Sequence, residues 1–219
     1  MDSAAFRTAC AGLGIELSER QVAAFDAFER ALYAANEQRN LTRVPQESCW
    51  LRHFVDSLLL SEFVPHGSEV LDIGSGPGFP AWPLACARPD LKVTALDSNG
   101  KMLGFLQSQP LPNIAVVQAR AEDNPRREAF NVVTGRALAP ISVQLELSAA
   151  PCRIGGFVMP MRTPNDEPFG EAAKLGLSLE RVHHRPLPGT DVVRVFPEYR
   201  KTTATSRRFP RPWAEMRSK

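Results

Sequence analysis

The chain has 219 residues, of which 43% are hydrophobic and 23% are charged, and this composition is typical of a soluble globular protein. Residues 1–14 include Arg7 and no long apolar run, which argues against a signal peptide. Nowhere does the chain approach the roughly 18 consecutive apolar residues that a membrane-spanning helix needs. We therefore expect a cytoplasmic protein with no membrane segment, and we expect it to be a monomer.

The charges are unevenly distributed, although the net charge is only +2. The first 40 residues hold four basic and six acidic side chains, whereas the last 20 hold seven basic and one acidic. This asymmetry predicts an anionic partner near the C-terminus, with a solvated tail as the alternative. The cysteines are scattered without a C-x-x-C pair, which indicates buried, reduced thiols and no metal site: Cys10, Cys49, Cys86 and Cys152.

Two helices are predicted first. Residues 18–37 begin with a capping box formed by Ser18 and Gln21 and continue with apolar residues at helical spacing. A second helix follows Pro45, which suits a first helical position, and its apolar stripe runs to the break at Pro65. The N-terminal region is therefore expected to be helical.

Strands and helices alternate from residue 69 onward. The predicted strands cover residues 69–73, 92–96, 114–118, 131–134, 156–160, 177–184 and 191–196, and the predicted helices cover 84–88, 101–107 and 141–149. Helices that connect successive strands imply an α/β fold with a mainly parallel sheet covered on both faces. Because no linker is long or polar enough to separate two domains, we expect one domain with N-terminal helices at 1–66, a core at 67–199 and a basic tail at 200–219.

A glycine-rich turn follows the first predicted strand. Asp72 precedes Gly74, Gly76 and Gly78, so the glycines lie where a parallel sheet binds ligands against a helix N-terminus. Glycine is needed there because a Cβ would hold the backbone away from the ligand. The spacing is neither the dinucleotide fingerprint nor a P-loop. An acid followed by three alternating glycines suits methyltransferases that bind the methionine end of S-adenosylmethionine.

Two acids follow the next two strands. Asp97 ends the second strand, where a carboxylate can accept hydrogen bonds from both ribose hydroxyls of a nucleoside, and capping of the next helix is the alternative. Ala121 and Glu122 follow the third strand, the usual position for contacts with adenine, although Glu122 alone is more often a surface acid. Because these segments share one edge of the sheet, they predict a site for a nucleoside cofactor.

The segment after the fourth strand reads Gly135-Arg136-Ala137. Enzymes that methylate exocyclic amines usually carry an Asn/Asp-Pro-Pro-aromatic stretch there, which this chain does not have. Pro151-Cys152 resembles the nucleophilic motif of cytosine C5 methyltransferases, but it follows a helix rather than the expected strand. We therefore interpret Cys152 as a structural thiol rather than a nucleophile.

Two histidine-containing segments are alternative candidate sites. His53 and Asp56 lie one turn apart on an apolar helix, and without a G-x-S-x-G motif they do not indicate a hydrolase. We interpret them as structural support beneath the glycine loop. His183 and His184 lie on a late strand without a third ligand, so no metal is expected.

Together these segments resemble the bacterial small-subunit ribosomal RNA guanine-N7 methyltransferase family, known as RsmG or GidB. The matching stretches are Asn40-Leu41-Thr42, Arg52-His53-x-x-Asp56-Ser57, the loop at 72–80, the segment at 96–101, Arg120-Ala121-Glu122, Gly135-Arg136-Ala137 and the basic tail at 207–211. The resemblance implies a Rossmann-like class I S-adenosylmethionine-dependent methyltransferase with a seven-stranded sheet and extra N-terminal helices. The implied reaction is methylation of a guanine N7 in small-subunit (16S) ribosomal RNA, free or in a subunit particle. The implied cofactor contacts are Gly74, Phe79, Ala121, Glu122 and Arg136.

The chain also departs from the family pattern. Ala81-Trp82 stand where a glycine and an aliphatic residue are common, Gly135 replaces a serine, and Met161-Arg162 replace a Lys-Gly pair. The residue roles implied by the family are therefore better matched in this chain for cofactor binding than for the pocket that receives the base. Alternative functions are methylation of another RNA or a small molecule, and a non-catalytic RNA-binding or nucleotide-binding module on the same fold.

The substrate side is predicted from the chemistry of guanine N7, which carries a lone pair and no proton and therefore requires no general base. The base must leave its stack and be received by an aromatic or guanidinium plane. The candidates for positioning it are Asn40, Phe79, Trp82, Arg136 and Arg162. The tail is expected to be extended and anchored by Phe209, leaving three arginines to bind phosphates: Arg207, Arg208 and Arg211.

Overall fold

The computed structural model describes residues 1–124, 126–165 and 171–216. Its strands are β1 (Glu69–Ile73), β2 (Lys92–Asp97), β3 (Ile114–Gln118), β4 (Phe130–Thr134), β5 (Cys152–Val158), β6 (Leu177–Pro186) and β7 (Val193–Lys201). They form one seven-stranded sheet in the order β3-β2-β1-β4-β5-β7-β6. Only β7 runs antiparallel to both of its neighbours, and the other neighbouring strands pair in parallel. The predicted α/β sheet is confirmed, with β5 beginning earlier and β7 ending later than expected.

The helices are α1 (Ser3–Gly12), α2 (Glu19–Arg39), α3 (Asp56–Leu58), α4 (Ala81–Ala87), α5 (Gly100–Gln107), α6 (Ile141–Ala149) and α7 (Trp213–Met216). The Ser18–Gln21 capping box at the start of α2 is present as predicted. The second predicted helix is instead composite, with a 3-10 turn at Gln46–Ser48, a π-helical segment at Trp50–Val55 and then α3. Within the described part of the chain, no helix is both long and apolar enough to cross a membrane.

Aromatic side chains dock the N-terminal helices against the helix that follows the glycine loop. Phe25 contacts Phe6, Phe54 and Trp82, with ring centroids 4.8, 5.0 and 5.3 Å apart. Trp82 is only 3% exposed, and its Nε1–H donates to the carbonyl of Gln109 (2.9 Å). The prediction that Trp82 receives a base is therefore wrong, because α2 covers its ring. Its role is to join the N-terminal helices to the core.

The tail is more ordered than its composition suggests. Phe209 is buried, as expected for an anchor, but its N–H donates to the carbonyl of Ser206 (3.0 Å), so the segment turns and the prediction of an extended tail is wrong. Lys201 at the end of β7 is fully buried, and its ammonium donates to the carbonyl of Ala149 (2.7 Å) and to the Thr205 hydroxyl. Burial lowers the pKa of Lys201 to about 8. The tail is therefore packed onto the same face of the sheet as α6.

Candidate active site

The glycine loop connects β1 to α4 and is held by the backbone of β2. Gly74, Gly76 and Gly78 have φ angles of 73°, 55° and 119°, which residues with a side chain rarely adopt. The N–H of Gly74 donates to the carbonyl of Leu96 (2.8 Å). A Cβ on Gly78 would lie 2.7 Å from Leu106, whereas a Cβ on Gly76 would meet open space. Gly76 and Gly78 are therefore both required by their backbone conformation, and a Cβ on Gly78 would also displace the Leu106 side chain.

Asp72 lies underneath this loop. Its carboxylate is fully buried, and Oδ2 accepts a hydrogen bond from the N–H of Ala81 (3.0 Å) at the start of α4. Burial raises the pKa of Asp72 to about 7. The other oxygen, Oδ1, has no hydrogen-bond partner among the described residues. Oδ2 of Asp72 therefore positions α4, and direct contact of Asp72 with a cofactor stays a prediction.

A cavity of about 260 Å³ opens at the carboxyl ends of β1, β2 and β3. Four residues predicted for the cofactor line it together: Gly74, Asp97, Ala121 and Glu122. Leu138 and Trp213 complete the wall, and sequence reasoning identified neither of them. We call this space the cofactor cavity. The gathering of residues from three strand ends follows from the parallel pairing of the sheet.

Asp97 is oriented by the backbone on both sides. Its Oδ2 accepts from the N–H of Gly76 (2.9 Å), and its Oδ1 accepts from the N–H of Asn99 (2.8 Å). Each carboxylate oxygen can accept a second hydrogen bond, so Asp97 can also receive ribose hydroxyls. Asn99, not Asp97, caps α5, which removes the alternative role considered for Asp97.

The cavity fits the chemistry of S-adenosylmethionine. Asp97 and Glu122 place two acids beside it, and Arg120 is paired with Glu122 (Nε–Oε1 2.6 Å). The cofactor carries a sulfonium and an ammonium, so an acid-lined cavity attracts it. The unpartnered Oδ1 of Asp72 beneath the loop adds an acceptor that a cationic group can satisfy. These residues would hold the cofactor, and their individual roles stay predictions.

Phe79 was predicted both to contact the cofactor and to stack on a base. In the structure its ring contacts His53 and Arg136. The ring is 4% exposed and lies parallel to the His53 imidazole, with centroids 4.2 Å apart and 5° between the planes. The guanidinium carbon of Arg136 lies 5.3 Å from the centroid of the same ring. Phe79 therefore fixes His53 and Arg136, and the prediction that it stacks on a substrate base is wrong.

A larger cleft of about 750 Å³ lies beside the cofactor cavity. Four arginines line it: Arg52, Arg136, Arg162 and Arg194. We call it the arginine cleft. Leu138 lines both the cleft and the cofactor cavity, so the two spaces adjoin at this side chain. Arg194 was missed by sequence reasoning, although an arginine inside the apolar run Val-Val-Arg-Val-Phe of the last strand was a usable signal.

One buried carboxylate orders the cleft. Asp56 is fully buried, and its Oδ2 pairs with Nη1 of Arg136 (2.9 Å) while its Oδ1 pairs with Nε of Arg194 (2.6 Å). His53 lies beside this pair, with its Nδ1 3.2 Å from Nη2 of Arg136 and its Nε2 2.7 Å from Oγ1 of Thr42. An arginine can only donate, so Nδ1 accepts and Nε2 carries the proton. Burial, with the nearby Arg136 charge, lowers the pKa of His53 to about 3.

Arg162 lies at the edge of the arginine cleft, whereas Asn40 lies outside it. Arg162 is 9% exposed, and its Nη1 donates to the carbonyl of Ala139 (2.8 Å) and to Oε1 of Gln144 (3.0 Å). It therefore holds the loop after β4, at the edge of the cleft. Asn40 ends α2 with a φ of 50° and lines a separate surface hollow with Arg39 and Lys101. Asn40 therefore lies beside the start of α5 and does not line the arginine cleft.

Gly135 departs from the family pattern for a steric reason. A Cβ at this position would lie 2.6 Å from the carbonyl oxygen of Ile73 and 2.9 Å from Nε2 of Gln144. The same Gln144 amide donates to the carbonyl of Gly135 (2.8 Å). In this chain, therefore, the glycine allows β4 to approach β1 closely just before Arg136.

The tail arginines divide into two kinds. Arg211 pairs with both oxygens of the buried Glu146, with Nε–Oε1 at 2.9 Å and Nη2–Oε2 at 2.7 Å. The Arg211 guanidinium is already paired with a carboxylate inside the fold, which argues against the predicted contact with phosphates. Arg207 and Arg208 are exposed, and RNA binding by them stays a prediction.

The cysteines are all unpaired and buried. Burial raises the pKa of Cys152 to about 12, so its thiol stays protonated at neutral pH and is a poor nucleophile. Within residues 1–124, 126–165 and 171–216, no group of three or more His, Cys, Asp or Glu side chains is arranged to hold a metal ion.

The strand order and the loop-centred cavity define the class of protein, the Rossmann-like S-adenosylmethionine-dependent methyltransferases. A TehB-like SAM-dependent methyltransferase from Corynebacterium glutamicum has the same fold, with a TM-score of 0.57, 17% identity and coverage of 79% of this chain and 98% of that one. A SAM-dependent methyltransferase from Aquifex aeolicus gives a TM-score of 0.52 at 17% identity, covering 69% of this chain and 92% of that one. At this identity the likeness concerns the fold alone.

Sequence comparison identifies the family. The chain belongs to the GidB family, described as rRNA small subunit methyltransferase G, whose model matches residues 21–187. A protein of Lactobacillus delbrueckii subsp. bulgaricus named ribosomal RNA small subunit methyltransferase G is 36% identical over 214 residues, covering 90% of each chain. A protein of the same name from Lactobacillus johnsonii is 34% identical over 229 residues, covering 96% of each. The family predicted from the motifs is confirmed, and the chain is an S-adenosylmethionine-dependent methyltransferase.

Proposed function

We propose that this protein transfers a methyl group from S-adenosylmethionine to N7 of a guanine in small-subunit (16S) ribosomal RNA, acting as a single-domain monomer in the cytoplasm. The names of its relatives support small-subunit ribosomal RNA as the substrate. The arginine cleft supports it independently, because arginines beside the cofactor cavity suit a polyanion. The chemistry of the cleft bears on which base atom receives the methyl group.

The proposal rests mainly on His53 and Asp56, the two side chains beside the cleft that could act as a general base. Both are already paired with arginines. His53 accepts from Arg136, and its pKa of about 3 leaves it little tendency to take a proton. Asp56 is buried with both oxygens paired to Arg136 and Arg194. Such an arrangement suits an acceptor atom that has a lone pair and no proton to lose. Guanine N7 is an acceptor of this kind.

The donors of the cleft favour guanine over adenine. Guanidinium groups donate hydrogen bonds and never accept them, and they line this cleft from four positions. The major-groove edge of guanine presents two acceptors, N7 and O6, whereas adenine presents an amino donor beside N7. A donor-rich wall therefore matches the two acceptors of guanine better than the donor and acceptor that adenine presents.

The chain itself contributes binding and alignment. When bound, S-adenosylmethionine supplies an electrophilic methyl group on its sulfonium. Asp97 and Glu122 would hold the nucleoside part of the cofactor, and the arginine cleft would hold the extruded nucleotide on the other side of Leu138. Extrusion of the base costs a few kcal/mol, which phosphate contacts can offset. The reaction then requires the attacking nitrogen, the methyl carbon and the sulfur to be in line, with reacting atoms about 3 Å apart.

The test is methyl transfer from labelled S-adenosylmethionine to naked 16S ribosomal RNA and to assembled small subunits, both from cells that lack this enzyme. We expect 7-methylguanosine in at least one of the two RNA samples after digestion to nucleosides. The Asp97→Ala variant serves as the negative control. A different methylated nucleoside would contradict the N7 assignment. Normal cofactor binding without transfer to either sample would favour another RNA, a small-molecule substrate or a non-catalytic module.

The pairing of His53 and Asp56 with arginines gives a second test of the same proposal. The rate of the chemical step in single-turnover reactions should not change with the titration of a protein base between about pH 6 and 9, because N7 is already unprotonated. A rate that rises tenfold per pH unit in this range would show that a base takes part, and it would contradict the role given to the arginine cleft.

A further inference from the structure

The C-terminal segment reaches the cofactor cavity. The cofactor contacts implied by the glycine loop and by the family motifs do not include this segment. Trp213, the first residue of α7, lines the cavity together with Asp97, Ala121 and Glu122. Its indole is partly buried and packs against the hydrophobic cluster on this face of the sheet. Trp213 is therefore both fixed by the core and accessible from the cavity.

Two contacts hold the tail in the position that brings Trp213 to the cavity. Arg127 donates to the carbonyls of Thr205 (2.8 Å) and Phe209 (3.0 Å). Two residues before Trp213, the Arg211 guanidinium pairs with the buried Glu146, and the Arg211 backbone N–H also donates to Glu146 Oε1 (2.8 Å). A bidentate pair with a buried carboxylate constrains orientation as well as distance.

Arg120 places the indole at the same end of the cavity as Glu122. Its guanidinium carbon lies 5.8 Å from the centroid of the Trp213 ring, and its Nε pairs with Oε1 of Glu122 (2.6 Å). The cavity therefore has an acid and an aromatic surface at one end, with the glycine loop and Asp97 further along its wall. An aromatic surface beside a hydrogen-bonding group is the usual means by which proteins bind a nucleobase.

We propose that Trp213 is part of the S-adenosylmethionine site and provides the surface against which the adenine packs, with the Arg211–Glu146 pair as the contact that positions it. This gives the basic tail a role in cofactor binding, in place of the purely phosphate-binding role expected from its charge. The proposal concerns the cofactor only and does not depend on which RNA base is methylated.

The experiment measures binding of S-adenosylmethionine and S-adenosylhomocysteine to the full chain by calorimetry, without RNA. Trp213→Ala should weaken both ligands about tenfold or more, as expected when an aromatic surface for a base is removed. Trp213→Phe, which keeps a flat ring, should recover most of the affinity. Trp50→Ala is the matched control, because Trp50 is partly buried in the N-terminal helical segment and does not line the cavity. It should leave the affinity unchanged.

A stability measurement without ligand accompanies each variant. If Trp213→Ala does not fold, Trp213→Leu retains apolar volume without a ring face and should show the same weakening. Folded Trp213→Ala or Trp213→Leu protein with unchanged affinity for both ligands would overturn the proposal. Failure of methyl transfer to 16S ribosomal RNA would not affect this result, so the two proposals can fail separately.

The positioning role of Arg211 requires its own test. Arg211→Ala should weaken binding of S-adenosylhomocysteine less than Trp213→Ala does. Combining the two substitutions should add nothing to the effect of Trp213→Ala, because Arg211 acts through the indole. If Arg211→Ala weakened binding by the same factor with and without Trp213, the guanidinium would act independently, and the positioning role would be wrong.

Discussion

The cofactor cavity and the arginine cleft adjoin at Leu138, yet the net charges of the side chains that line them are of opposite sign. The cavity presents Asp97 and the Glu122–Arg120 pair, whereas the cleft presents four arginines. Each sign suits its ligand, because the cofactor carries a sulfonium and an ammonium while RNA carries phosphates. The comparison indicates how one edge of the sheet can bind the cofactor and RNA in separate spaces that adjoin only near Leu138.

The two spaces are also held together differently. The glycine-loop side of the cavity depends on short connections between strand ends, such as the hydrogen bond from the Gly76 N–H to Asp97 across 21 residues of sequence. The cleft depends on Asp56, which reaches Arg136 across 80 residues and Arg194 across 138. We therefore expect substitutions in the cleft to lower stability and substitutions in the cavity to lower cofactor affinity.

The largest expected effect is that of Asp56→Ala. Removing this buried carboxylate leaves Arg136 and Arg194 without their charge partner and should cost about 3–5 kcal/mol in the free energy of unfolding. Chemical denaturation measures this difference. The control is Glu62→Ala, which breaks the exposed pair with Arg185 and should cost less than about 1 kcal/mol. Equal losses in the two variants would show that Asp56 does not organise the cleft.

The next effect is on the cavity side. Asp97→Ala should weaken S-adenosylmethionine binding by about 1.5–3 kcal/mol, the range for hydrogen bonds to a charged group. Calorimetry on the folded variant measures it, and Asp191→Ala serves as the control, because Asp191 is exposed and does not line the cavity. Unchanged affinity in folded Asp97→Ala would remove Asp97 from the cofactor site.

A pH-dependent effect separates the cleft from the cavity. The pKa of His53 is lowered from 6.5 to about 3, so the unfolded chain binds a proton more readily than the folded one. Stability contributed by neutral His53 is therefore present above pH 6.5 and is lost as the pH falls toward 3. Between pH 7.5 and pH 5 the loss should be about 2 kcal/mol, and it should be absent in His53→Gln.

The measurement compares the unfolding free energies of the two proteins at both pH values. Asp72, whose pKa is raised from 3.8 to about 7, has the opposite effect, because its ionisation destabilises the fold as the pH rises through this range. Both proteins contain Asp72, so its contribution cancels in the comparison. An identical pH dependence in the two proteins would mean that His53 is not buried as a neutral ring.

The smallest expected effect concerns the exposed tail arginines. If Arg207 and Arg208 each contact one phosphate of single-stranded RNA, replacing both by alanine should reduce the slope of log affinity against log salt by about 1.4. Arg211→Ala should leave that slope unchanged, because its guanidinium is paired with Glu146. A reduced slope in Arg211→Ala would show that the pair with Glu146 opens when RNA binds.

Much of the fold was predictable because its signals are local. The Ser18–Gln21 capping box, the aliphatic strands and the glycine turn after β1 depend on residues close together in the chain. Parallel pairing then brings the strand ends to one edge, so Gly74, Asp97 and Glu122 could be assigned to a common cavity from sequence order alone. The motif set was also sufficient to predict the family, which the comparisons confirm.

The surroundings of individual side chains were decided only by the tertiary structure. Trp82 lies against α2 rather than in a base pocket, Arg211 is paired with Glu146, and Trp213 reaches the cofactor cavity. A tryptophan or an arginine has the same local pattern whether it binds a ligand or packs inside the fold. Its role depends on the side chain that it contacts. In the sequence, Phe25 lies 57 residues from Trp82, and Glu146 lies 65 residues from Arg211. Local sequence therefore determined where the ligands can bind, whereas long-range packing and charge pairing determined which side chains remain available to bind them.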